Sequence, residues 1–150
     1  MVVERAVPVL VAVAALAGCA VGSSSTRADD AQALTDPLTQ ASSAVATASI
    51  AVDLLGDDRT TPTVTDTALL DQVAVLDEAA FAVTTLVPTD PTTAGWQEAA
   101  LTAVRQAQGS VVAARSWANG AGTGETAVQD ALDASADRLD RLTTQLEGSS

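Results

Sequence analysis

Asp90-Pro91-Thr92-Thr93-Ala94-Gly95-Trp96 opens a stretch that continues without a break to Trp117-Ala118, and its reading decides the fold. Asp90 carries the short acceptor side chain that satisfies free N–H groups at a helix start. Pro91 supplies the fixed φ of a first helical position. From there Trp96, Ala100, Ala103, Ala107, Ser110, Ala114 and Trp117 recur at alternating spacings of four and three, which is one stripe of an α-helix. Leu101, Val104 and Val111 form an adjacent stripe. The spacing predicts a helix over 91–118 with a tryptophan at each end of its apolar face. Each Trp either seals one end of a core or stands exposed as an anchor for a partner. The small residues between them let a neighbouring helix come close.

The same period runs through the flanking segments. Leu34, Leu38, Ala41, Val45, Ala48, Val52 and Leu55 predict a first helix that starts between Asp29 and Asp36 and ends at Leu55. Asp36 as N-cap before Pro37 is one start; an earlier one, with Pro37 inside the helix, keeps Leu34 in phase. Gly56 fits the residue just past the end. Residues 56–65 read as a solvated loop. Its Asp57 and Asp58 lack the spaced carboxylates and distal Glu of a calcium loop. A second helix is expected over 66–87, on Leu69, Val73, Leu76, Ala80, Val83 and Val87, and is ended by Pro88. Val75, Ala79, Ala82 and Leu86 widen its apolar arc, while Asp71, Glu78 and Thr85 make a narrow polar line. Phe81 lies off the stripe, as a filler at the bundle's flank or a surface contact. Residues 119–124 hold three glycines but no lysine, so they are a turn rather than a phosphate-binding loop. A fourth helix is expected over 125–147, with Thr123 as its cap and Val128, Leu132, Ser135, Leu139, Leu142 and Leu146 as its core stripe. Asp130, Asp133, Asp137 and Asp140 line its outer face, either as plain solvated surface or as a receiver for a basic partner or loosely held cations. Arg138 and Arg141 can pair with them.

Four amphipathic helices joined by short loops predict an all-α, antiparallel up-down four-helix bundle. The four-three spacing favours shallow crossing angles. No stretch alternates with period two for long enough to suggest a sheet.

Composition narrows the function. The net charge of −12 repels nucleic-acid phosphates and anionic lipid surfaces. The chain has no His and no Tyr, its seven cationic residues are all Arg, and Met1 is its only methionine. Arg-only cations with an Ala, Val, Thr and Asp bias suggest a high-GC genome. Histidine is the commonest general base and metal ligand. Without it, the Glu-x-x-His carboxylate sites of bundles cannot be built, and no metal is expected. The expectation is that the protein is not an enzyme. The surviving alternative, a hydrolase built on Asp71, Asp77 or Glu78, has its acids at outward positions.

The N-terminus carries a second kind of signal. Residues 6–17 are apolar throughout, long enough for a signal-peptide core and short of the ~18 needed to span a bilayer. Leu16-Ala17-Gly18-Cys19 follows, with the only cysteine of the chain. This stretch resembles the lipobox of bacterial lipoprotein precursors. The resemblance implies recognition of Leu16, Ala17 and Gly18 by a signal peptidase, cleavage before Cys19, and a covalent diacylglycerol on Cys19. It covers the first 19 residues and names no family for the rest. The organisation it predicts is a signal peptide over 1–18, the lipidated Cys19 with a flexible tether over 19–28, and a bundle domain over 29–150. The protein would sit on the extracytoplasmic face of the cell membrane, anchored by lipid. Its expected role is a non-catalytic interaction or adaptor module with a protein partner in the envelope, for example in phage exclusion or in support of a membrane complex. Trp96, Trp117 and Phe81 are the candidate partner or ligand contacts. The alternative is a carrier that holds a small apolar ligand or lipid between its helices.

Overall fold

The computed structural model describes residues 27–149. They form four α-helices: α1 (Arg27–Gly56), α2 (Pro62–Thr85), α3 (Pro91–Ala118) and α4 (Glu125–Glu147). No strand occurs among the described residues. The helices pack as an antiparallel four-helix bundle, and polar contacts between them show the direction. Between α2 and α3, Asp66 bonds Arg115, Asp77 bonds Gln108, and the Val83 carbonyl accepts from Gln97, so one number rises as the other falls. Between α1 and α4, Ser42 bonds Asp140 and Ser49 bonds Gln129. Asp30, at the start of α1, reaches Thr89 just beyond the end of α2.

Each helix packs on its two neighbours in the ring, and α1 also meets α3 across the middle, whereas α2 and α4 do not meet. The cross-section is therefore a rhombus with α1 and α3 on its short diagonal. Side-chain size accounts for this. Buried alanines are concentrated on α1 (Ala31, Ala41, Ala44, Ala48, Ala51) and α3 (Ala100, Ala103, Ala107, Ala114, Ala118). Helix axes approach to the ~8 Å end of their range only where the contact residues are small. The larger Leu69, Leu76, Val83, Val128, Leu132 and Leu139 fill the space between that diagonal and the two outer helices. Within α1, the stretch Asp29–Gly56 is apolar and long enough to cross a membrane by length and composition alone. In the bundle its Leu34, Leu38, Val45 and Val52 are buried in the core, while Ile50 is exposed.

Local signals explain the boundaries. At α3, Asp90 Oδ1 accepts from the backbone N–H of Thr92 at 2.8 Å and of Thr93 at 2.9 Å, as the sequence leads one to expect. The first helix departs from expectation: it begins at Arg27, before Asp29, so the tether ends two residues sooner and Asp36 is not a cap. Pro37 lies inside the helix and is buried. An interior proline costs ~3 kcal/mol. A start at Pro37 would forfeit the burial of Leu34, worth ~1.5–3 kcal/mol, together with that of Ala31 and the hold of Asp30 on Thr89. The sum favours the longer helix.

The second helix starts at Pro62 rather than Asp66, with Thr61 as its cap accepting from the Val64 N–H, so the preceding loop is shorter than expected. It stops at Thr85 rather than Val87, because Pro88 forces the residues before it into extended geometry. Gln97 of α3 then donates to the freed carbonyls of Val83 and Leu86, both at 2.8 Å. Gly56 belongs to α1, and the left-handed residue behind it is Asp58, with φ of 57°. The Asp58 N–H bonds the Leu55 carbonyl and the Arg59 N–H bonds the Leu54 carbonyl. This is a Schellman closure with Asp in place of the usual Gly. Gly120, at φ 76°, closes α3 in the same way. Gly124, not Thr123, occupies the cap of α4.

Candidate interaction surface

The core positions of α2 are Thr65, Leu69, Leu76, Ala79 and Val83. They point at the diagonal pair. Among the described residues α2 packs on α1 and α3 alone, and the opposite arc of this helix is exposed. At 100° per residue, Leu70, Ala74 and Phe81 fall within a narrow sector of that arc. Leu70 is 48% exposed and Phe81 72% exposed, so Phe81 is not a flank filler. Val87, expected on the core stripe, is 82% exposed, because the helix ends before it.

Acidic side chains border this ridge on both sides. Asp77 lies on the flank toward α3, where its Oδ1 accepts from Gln108 at 2.6 Å. Asp71 and Glu78, seven residues apart, lie on the flank toward α1 and are exposed. The helix contains no Lys or Arg.

Both tryptophans are half-buried and packed against the core. A hollow beside Trp96, lined by Leu38, Ala100, Leu142 and Leu146, is too narrow to admit a water molecule. Asp130, Asp133, Asp137 and Asp140 are all exposed on α4. Asp140 accepts from Ser42 at 3.0 Å, and Asp137 lies 3.9 Å from Arg141, with both side chains largely in solvent. Such a pair contributes little. Arg138, expected to pair likewise, forms no ion pair among the described residues, and its Nε is enclosed without a hydrogen-bond partner.

Three polar arrangements go beyond what the sequence reading expects. Ser110 and Ser135, both buried, share a hydrogen bond of 2.9 Å, and the Ala131 carbonyl lies within reach of both hydroxyls; with one proton apiece, one serine donates to that carbonyl and accepts from the other, which pins α3 to α4. Asp30, 4% exposed, accepts from the N–H and hydroxyl of Thr89. Asp66 receives Arg115 through Nε at 3.0 Å and Nη2 at 3.3 Å, and Asn119 at 2.8 Å. The hydrogen bonds from Arg115 and then Asn119 hold the Asp66 carboxyl below its ordinary range. The sequence offers a signal for the first of these only: serine at two core positions of the stripes.

Among the described residues no group of three or more His, Cys, Asp or Glu side chains converges on a point where a metal could sit. Leu16, Ala17, Gly18 and Cys19 lie outside the described residues. No protein-family model matches the chain, and no curated protein or solved structure is significantly similar to it.

Proposed function

We propose that this protein is a lipid-anchored envelope protein whose helical domain works as a non-catalytic interaction module. The observation that carries this reading is the ridge of Leu70, Ala74 and Phe81 on α2. It is apolar and exposed in a bundle whose core is already filled by other residues. Exposed aromatic side chains on a rigid element are the usual anchors of protein contacts. The anchor is Cys19 with its diacylglycerol, recognised through Leu16, Ala17 and Gly18. Two acyl chains hold a protein stably at a membrane where one does not. Residues 20–26 then connect the lipid to α1. A protein of the envelope is the partner, and phage exclusion or service to a membrane complex are two settings for it. The carrier alternative draws no support from the hollow beside Trp96, which has no room for a ligand.

The test is the intact mass of the protein from the membrane fraction, beside a Cys19→Ala variant. The expected mass is that of a chain beginning at Cys19 and carrying diacylglycerol, with the variant unlipidated. A chain that retains Met1 and carries no lipid would overturn the reading.

A further inference from the structure

We infer that the outer ridge of α2 is the docking face and that its occupant is a basic amphipathic helix of the partner protein. The inference rests on the interaction-module reading and names the surface and the chemistry of what covers it. Exposed large hydrophobic residues are unevenly distributed. Val64, Leu70 and Phe81 lie on α2 and Val87 lies two residues beyond its end, whereas α1 shows Ile50 and α3 shows Val112. Leu70 and Phe81 stand ~16 Å apart along the helix axis. Ala74 between them leaves a dip into which a side chain of a second helix can fit, as ridges fit grooves in helix packing.

Charge selects the occupant. Asp71 and Glu78 on one flank and Asp77 on the other face whatever lies on the ridge, and α2 holds no basic residue to balance them. A second copy of this chain laid symmetrically on α2 would set these carboxylates against their own kind. An anionic lipid surface would meet the same repulsion. A helix with an apolar stripe and Lys or Arg on both sides of it satisfies the ridge and the flanks together.

The experiment uses the full chain in cells that produce it, with a photoactivatable residue at position 70 or 81 on α2 and, separately, at 50 or 112. Capture at 70 and 81 of a protein segment with an apolar stripe flanked by Lys or Arg is the expected result. Asp71→Lys with Glu78→Lys should lower that capture roughly five- to tenfold. Phe81→Ala should lower capture at position 70 similarly, and since Phe81 is exposed this variant keeps its core. Capture of lipid, of a second copy, or of an acidic or uncharged segment would overturn the inference, as would a yield indifferent to charge reversal. Capture of a protein at 50 or 112 but not on α2 would defeat this inference and leave the interaction module standing. Capture of no protein at any of the four positions would defeat both.

Discussion

Replacing glycine by alanine at two positions of α3 and at the turn that closes it should change stability with opposite signs, and the signs follow from geometry. Gly95 and Gly109 are helical, exposed, and would place a Cβ with no atom within 4 Å. Glycine in a helix interior costs ~0.8–1 kcal/mol relative to alanine, because more backbone freedom is lost on folding. Nothing opposes that gain here, so Gly95→Ala and Gly109→Ala should each stabilise the bundle by about 1 kcal/mol. The sites are ~21 Å apart along the axis, so the gains should add. Together they correspond to a rise in Tm of roughly 6–12 °C for a domain of this size. Gly120 also has open space around it, yet its φ of 76° is a conformation that costs an L-residue ~1–2 kcal/mol. Gly120→Ala should therefore destabilise by about that amount. Urea unfolding followed by far-ultraviolet circular dichroism measures all three. A loss of stability at Gly95 or Gly109, or no loss at Gly120, would refute the continuity of α3 and its closure at Gly120.

Core and surface leucines should separate sharply. Leu76→Ala, at a position with no exposure, should cost ~2–5 kcal/mol in urea unfolding, while Leu70→Ala on the exposed ridge should cost well under 1 kcal/mol. The Thr93 hydroxyl is buried with no hydrogen-bond partner, so Thr93→Val should be neutral or stabilising by up to ~1 kcal/mol in the same assay. Asp66 binds its proton less tightly in the folded chain than in the unfolded one, because of Arg115 and Asn119. Its contribution is present above the ordinary carboxylate value of ~3.9 and is lost as acidification passes through the lower folded value. Between pH 7 and pH 3 the parent should therefore lose more stability than Asp66→Asn, read from urea midpoints at the two values.

Periodicity in the sequence carried most of the fold. The bounds of α3 and α4 and the main stripes of α1, α3 and α4 could be read from it, since spacing of apolar residues dictates which side of a helix is buried; on α2 the expected stripe holds at Leu69, Leu76 and Val83, while Ala79 is buried and Val87 is exposed. The start of α1 could not. Its outcome depended on whether the burial of Ala31 and Leu34 outweighs one lost backbone bond at Pro37, a balance settled by tertiary packing. The start of α2 was legible in principle, because Thr61-Pro62 is the same N-cap and proline pair as Asp90-Pro91. It lies within a run of threonines that also reads as loop. The exposure of Phe81 depended on something non-local. The pattern within α2 puts Phe81 off the stripe, but that no neighbouring helix covers that side follows from the close approach of α1 to α3, which leaves α2 at a corner of the rhombus. For the acidic stripe of α4 the plain reading sufficed, since charges opposite an apolar stripe face solvent.

A docking role for α2 requires that its outer face be covered in the cell. Hydroxyl-radical footprinting, read by mass spectrometry on intact membranes and on the purified protein, tests it most directly. Phe81 and Leu70 should be oxidised readily in the purified protein and protected in membranes, while Ile50 on α1 should be labelled equally in both. Equal labelling of Phe81 in the two samples would contradict it.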